Sequence, residues 1–158
     1  MSEEYAAMVT ALPLFNGYTI AGAQRILRAG KVNAVGKGEV LFKEGDPPDF
    51  VLLVLRGNLQ VYVERHGREM VLTDAGPSTI LGELAVLCGM PRSASVRVIE
   101  DSTVLQWPAS EFRGLLVKDV SLSHRIFRES LRTLIDKEKS LIESLTDDDE
   151  VKKSEQTA

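Results

Sequence analysis

The chain has 158 residues, 44% of them hydrophobic and 27% charged, which is enough apolar material for one buried core and points to a single domain with trimmings. A formal net charge of −4, with no basic stripe to collect phosphates along a duplex, argues against direct nucleic-acid binding. The single cysteine, Cys88, excludes an intramolecular disulfide and fits a reducing compartment.

Met1-Ser2-Glu3-Glu4 opens the chain with acidic residues and no long apolar run, so neither a secretion signal nor a membrane span is expected and a cytoplasmic location is. Residues 3–10 and 18–29 carry helical spacing, with Ile20, Ile26 and Leu27 expected on the buried face and Gly30 as the stop. From about residue 31 to 107 the texture changes to short β-branched and apolar runs. These are broken at Gly36-Lys37-Gly38, Gly45-Asp46-Pro47-Pro48, His66-Gly67 and Ala75-Gly76-Pro77. In Leu59-Gln60-Val61-Tyr62-Val63-Glu64 the alternation puts Leu59, Val61 and Val63 inward and Gln60, Tyr62 and Glu64 outward. Many short strands with turns at this spacing predict an antiparallel β jelly-roll barrel of about eight strands, flanked by helices at both ends and interrupted by one helical segment.

The interruption is Gly82-Glu83-Leu84-Ala85-Val86-Leu87-Cys88-Gly89-Met90-Pro91-Arg92-Ser93-Ala94. A turn of helix starting at Gly82 aims free backbone N–H groups at an anion, and Arg92 can close on the same anion with a two-pronged contact that lysine does not reproduce. Glu83 beside a bound phosphate is repelled unless it accepts a hydrogen bond, and a ribose 2′-hydroxyl is such a donor. Cys88, on the apolar side of this short helix, is expected to pack rather than to react.

These residues resemble the phosphate-binding cassette of the cyclic nucleotide-binding domain family, the group that includes the bacterial catabolite activator protein, protein kinase regulatory subunits and nucleotide-gated channels. Both Gly82-Glu83-Leu84-Ala85 and Pro91-Arg92-Ser93-Ala94 occur at the family's separation. The resemblance implies that Arg92 takes the cyclic phosphate, Glu83 the ribose 2′-hydroxyl, the Gly82 backbone the ribose, and the Ala85 and Ser93 amides the phosphate oxygens. It runs from residue 12 to about 145. Leu12-Pro13-Leu14-Phe15 looks like the family's helical entry, Glu44-Gly45-Asp46 and Asp49 to Gly57 like its early strands, and Trp107-Pro108-Ala109-Ser110-Glu111-Phe112 like its exit from the barrel. One departure is Gly76-Pro77-Ser78-Thr79, where the family writes Gly-Pro-Gly-Asp; the lost glycine is expected to restrict that turn. Candidate purine-lining residues are Val71, Leu72, Val96 and Val98, with Leu131 or Arg128 as a cap from the terminal helix. Leu84 and Leu87 are the expected route from the cassette to that helix.

After Pro108 the pattern is helical. Val120, His124, Phe127, Leu131, Leu134, Glu138, Leu141 and Leu145 recur at alternating steps of four and three, a heptad seam widened by Ile126, Ile135 and Ile142. Either the helix lies on its own barrel or, as the resemblance implies, it pairs with a second copy as a homodimer; Glu138 interrupts the seam. From Thr146 the sequence is too polar to fold alone, so residues 1–145 are expected to form the domain and 146–158 a disordered acidic tail. The family's transcription factors carry a helix-turn-helix after this helix, and the few polar residues that follow here do not supply one.

An enzyme is not expected. The only histidines are His66, expected in a surface turn, and His124, expected to pack on the terminal helix, so no metal triad forms within one chain, and no Ser-His-Asp or Cys-His arrangement stands out. No catalytic residue, metal or cofactor is therefore expected. The expected function is a stand-alone receptor for cAMP that passes the signal to a protein partner by conformational change. A hydroxyl at Ser93 can support cGMP in the family, but no second guanine-reading residue is evident. The alternatives are a cGMP-selective sensor, a ligand-independent dimerising module and a regulatory fragment of a larger protein.

Overall fold

A computed structural model describes residues 3–157, with side chains described up to Thr146. The order is α1 (Glu3–Thr10), a 3-10 turn (Pro13–Phe15), α2 (Ile20–Arg28), β1 (Lys31–Val35), β2 (Val40–Phe42), β3 (Phe50–Arg65), β4 (Arg68–Ala75), β5 (Ile80–Leu81), α3 (Glu83–Cys88), β6 (Ser95–Pro108), α4 (Ala109–Lys118) and α5 (Val120–Thr157). All strand pairs are antiparallel, in the order β1-β6-β3-β4, with β2 also on β6 and β5 also on β3.

The sheet is jelly-roll-like but has six strands instead of the expected eight. Two of them are long, β3 with 16 residues and β6 with 14, and their pairing shifts register between Val54 and Leu59. Bulges bend a strand without ending it, so one continuous β3 serves both layers of the roll. Gly57 makes the bend possible: its φ is +97°, and a Cβ there would lie 2.1 Å from Ser102 Oγ.

The run Val51-Leu52-Leu53-Val54-Leu55 is buried throughout because both faces of β3 are covered. Val51, Leu53 and Leu55 meet the helices with Phe15, Ile26, Trp107 and Phe112. Leu52 and Val54 point into the roll with Phe42, Leu59, Val96 and Val98. Trp107 is fixed by its Nε1–H, which donates to Ile26 O at 2.7 Å.

Local details depart from simple periodicity. In α2 the buried stripe is Gly22, Ala23 and Ile26; Ile20, just after the Thr19 cap, falls on the flank and is exposed, while Leu27 is half-buried. A bulge between Val61 and Tyr62 breaks the alternation, so Tyr62 and Val63 are both buried and Val61 only half-buried. Cys88 is exposed, because Val86 and Leu87 supply the apolar contacts of α3, and His124 is exposed on α5.

Asp119 starts α5. Its Oδ1 accepts from Leu122 N at 3.0 Å, and its Oδ2 accepts from the Tyr18 hydroxyl, which ties the helix start to the N-terminal segment. Burial raises the Asp119 carboxyl, but the Tyr18 hydroxyl, the Leu122 amide and Arg25 together outweigh it and hold the group below its usual value. From there Leu122, Ile126 and Ser130 face the roll, while Val120, Phe127, Leu131, Leu134, Leu141 and Leu145 are exposed. The roll therefore does not cover the heptad seam, even along its first half. The helix also runs on to Thr157, through the segment expected to be disordered. No glycine or proline follows Gly114 to stop it. Ala158 lies outside the described residues. No described helix is long and apolar enough to cross a membrane.

At the departing turn Ser78 itself adopts a φ of +77°, and its Oγ accepts from Leu14 N at 2.9 Å. The serine trades backbone strain for a tie to the N-terminal segment. Ser78→Ala keeps the strain and strands the Leu14 amide, an expected loss of about 1–3 kcal/mol. Ser78→Gly loses the same bond but relieves roughly 1–2 kcal/mol of left-handed strain. Urea unfolding should rank the glycine variant above the alanine variant; the reverse order would contradict this account.

Candidate functional site

Strand β5 ends at Leu81, and the chain turns at Gly82, φ +82°, directly into α3. It leaves α3 through Gly89, also left-handed, and returns through Met90 and Pro91 to Arg92. The Arg92 backbone is pinned to the 43–46 turn, its N–H donating to Asp46 O at 2.9 Å and its C=O accepting from Gly45 N at 2.8 Å. That clamp sends the side chain inward beneath the Gly82 turn.

Arg92 is only 3% exposed. Its Nη1 donates to Gly82 O at 3.0 Å and its Nη2 to Phe50 O at 2.5 Å. The guanidinium carbon sits 4.1 Å from the Phe42 ring centroid and 4.8 Å from that of Phe50, a geometry in which the ring faces stabilise the cation. Nε is buried with no hydrogen-bond partner. Burial lowers the guanidinium pKa, opposed by the nearby charges of Asp49, Asp46 and Glu83; arginine nonetheless stays protonated. The site thus holds a charged donor that a further acceptor would complete. Gly82 is required by space as well as by φ, since a Cβ there would lie 2.2 Å from Arg92 Nη1.

Glu83 starts α3 and leans toward α5, where its Oε1 accepts from Ser130 Oγ at 3.0 Å. Burial raises its pKa, and a hydrogen bond from its own amide, the Ser130 hydroxyl, Lys137 and Arg92 pull it back. A carboxylate has about four lone-pair positions, so acceptor capacity remains beyond the Ser130 bond.

Between the cassette, β4 and α5 lies a cleft of about 600 Å³, inside the range of small-molecule sites. Gly82, Glu83, Leu84 and Ala85 line it on one side, and Arg92, Ser93, Ala94 and Val96 on another. Of the proposed purine contacts, Leu72 and Val96 face the cleft. Val71 is exposed on β4 opposite Tyr62, and Val98 is buried inside the roll. Leu131 is exposed and outside the cleft, and Arg128 lines a separate groove with Pro13 and Leu14. The α5 residues that reach the cleft are Glu129, Ser130, Arg132, Thr133, Leu134 and Lys137. Of these only Leu134 belongs to the apolar seam; the others lie on the polar stripe beside it, whose spacing of three and four was the available signal.

Residues 32–119 match the cyclic nucleotide-binding domain, and the chain belongs to that family. It is 28% identical over 123 residues to a cyclic nucleotide-gated potassium channel of Mesorhizobium japonicum, covering 78% of this chain and 33% of the channel. Among solved structures it is similar to the catabolite activator protein of Thermus thermophilus, with a TM-score of 0.73 and 25% identity over 82% of this chain and 61% of that one. It is also similar to a cAMP-binding acyltransferase from Mycobacterium smegmatis, with a TM-score of 0.62 and 28% identity over 70% of this chain and 35% of that one. The chain spans between 5% and 33% of the length of the curated relatives it matches.

The dependence of Arg92 on Gly82 is testable by stability alone. Gly82→Ala combines left-handed strain with overpacking against the guanidinium and is expected to cost about 2–4 kcal/mol in urea unfolding. A loss under about 0.5 kcal/mol would show that the turn tolerates a side chain and that Arg92 is not held as described.

Proposed function

We propose that this chain is a receptor for a cyclic nucleotide, cAMP first, which couples occupancy of the cleft to the position of α5 and so regulates a protein partner. One observation carries the reading: a buried, charged Arg92 with an unpaired Nε beneath a glycine turn whose next residue is a carboxylate. An anionic cyclic phosphate supplies the missing acceptor, and the 2′-hydroxyl of the adjoining ribose supplies a donor for Glu83. No catalytic step is assigned.

Glu83 provides the link to α5. It already accepts from Ser130, so a ribose hydroxyl and the helix share one carboxylate, and filling the cleft shifts the helix only to the extent that the two arrangements differ in affinity for ligand. Leu134 and Thr133, on the same helix, face the space left for the base. We assign the exposed side of α5 to pairing with a second copy, and place the protein in the cytoplasm without contact to DNA. A second reading, cGMP as ligand, rests on Ser93, which lines the cleft and whose hydroxyl can accept from the guanine amino group.

Calorimetric titration with cAMP, 2′-deoxy-cAMP and 5′-AMP tests the assignment. cAMP is expected to bind at micromolar or tighter affinity and to outcompete both analogues, and Arg92→Ala is expected to cost about 2–5 kcal/mol, roughly 30-fold to several thousand-fold in affinity. Because accepting a hydroxyl proton favours ionised Glu83, while burial raises its pKa in the free protein, cAMP affinity should fall as pH drops through that raised pKa. Glu83→Gln should flatten the pH dependence and erase the advantage over the 2′-deoxy ligand. Equal binding of the ribose and 2′-deoxy forms by the parent protein would remove Glu83 from the site.

A further inference from the structure

We infer that the groove between the 3-10 turn and the start of α5 is a docking surface for an acidic segment of a partner protein, and that this segment and the nucleotide bind antagonistically. The inference rests on the reading that the chain regulates a partner, and adds where the partner lies and what chemistry it presents. Pro13 and Leu14 form one wall of the groove. The other wall is a ridge of α5 residues at steps of four, Val120, His124, Arg128 and Arg132, which extends about 18 Å along the helix.

Charge names the occupant. The chain has a net charge of −4, yet this groove gathers Arg125, Arg128 and Arg132 against one carboxylate, Glu129. Arg125 is already committed, donating to Leu14 O at 3.1 Å and Asn16 O at 2.7 Å and lying over the Tyr18 ring, so it fixes the wall. Arg132 holds Glu129 only loosely, at 3.9 Å, and Arg128 is exposed with no ion-pair partner among the described residues. Four helical residues separate these two guanidinium groups, a rise of about 6 Å. Alternate side chains of an extended peptide repeat at about 6.6 Å, so carboxylates two residues apart meet the two arginines as charge-assisted pairs. The residues between them point to the opposite wall, where Pro13 and Leu14 offer apolar contact. A duplex or an anionic membrane is repelled by the rest of the chain and is too broad to enter between the two elements. The chain's own acidic run at 147–150 continues the same unbroken helix, so it does not fold back onto the groove.

Only a thin partition separates this groove from the nucleotide cleft. Pro13, Leu14, Glu129 and Arg132 line both. Leu14 is held from each side: its N–H donates to Oγ of Ser78, a cleft residue, at 2.9 Å, and its carbonyl accepts from Arg125 of the groove. An anionic nucleotide on one side and carboxylates on the other repel each other and draw on the same Arg132. Each therefore weakens the other, and by linkage the two factors are equal.

The test follows the fluorescence anisotropy of a labelled peptide of alternating glutamate and leucine added to the full chain, with an alternating lysine–leucine peptide as control. The acidic peptide is expected to bind in the micromolar range and the basic one not to bind. Arg128→Glu should weaken the acidic peptide at least about 10-fold while leaving cAMP affinity unchanged, because Arg128 lines the groove and not the cleft. Saturating cAMP should weaken the peptide at least about 5-fold. Equal binding of the two peptides, or full binding by Arg128→Glu, would overturn the docking surface. Self-association that Arg128→Glu abolishes, with no peptide bound, would put a second copy in the groove and overturn it as well. Peptide affinity unchanged by bound cAMP would overturn the antagonism. Calorimetry with cAMP alone reports on the nucleotide reading separately, so failure of that reading is distinguished from failure of the groove.

Discussion

A single buried cation organises this molecule's functional end. Arg92 lies between two phenylalanine rings and donates to two backbone carbonyls, so the β2 and β3 strands, the Gly82 turn and the return from α3 all converge on one guanidinium. Burying a charge is costly unless it is paired. Here the pairing is incomplete, with carbonyls in place of a carboxylate and Nε left over. The surrounding structure therefore holds a charged guanidinium with one donor still to be satisfied.

Glu83 extends that organisation to α5. The carboxylate sits one residue past the turn that Arg92 supports and accepts from a serine on the terminal helix, a bond that joins α3 to α5. The exposed face of the same helix lies on another side, away from both the roll and the cleft. One helix therefore carries three stripes: Leu122 and Ile126 on the roll, Ser130, Thr133, Leu134 and Lys137 on the cleft, and Phe127, Leu131, Leu141 and Leu145 turned outward.

Much of this was legible in the sequence. The glycine turn, the carboxylate and the arginine lie within a short stretch, and their chemistry can be named without coordinates; the alternation of helical and β texture gave the layered fold. Side-chain direction after an irregularity was less legible. The bulge at Val61 turned Tyr62 inward, and Val71, paired opposite it, stands outside the cleft that Leu72 lines. The merging of strands into β3 depended on Gly57 and Ser102, 45 residues apart in sequence. On α5 a strong apolar repeat drew the eye to Leu131, whereas the cleft takes the weaker polar stripe beside it. Periodicity locates faces, but which face meets which surface is settled by residues far away in the chain.

The most direct test of the central claim observes Arg92 itself. In a nitrogen-detected arginine spectrum, the Nε–H signal assigned by its loss in Arg92→Lys should shift strongly when cAMP is added and remain in place with adenosine, which has the base and sugar but no phosphate. A saturating cyclic nucleotide that leaves the Arg92 Nε–H signal where it was would contradict the account, because the buried donor would then not be the group that meets the anion.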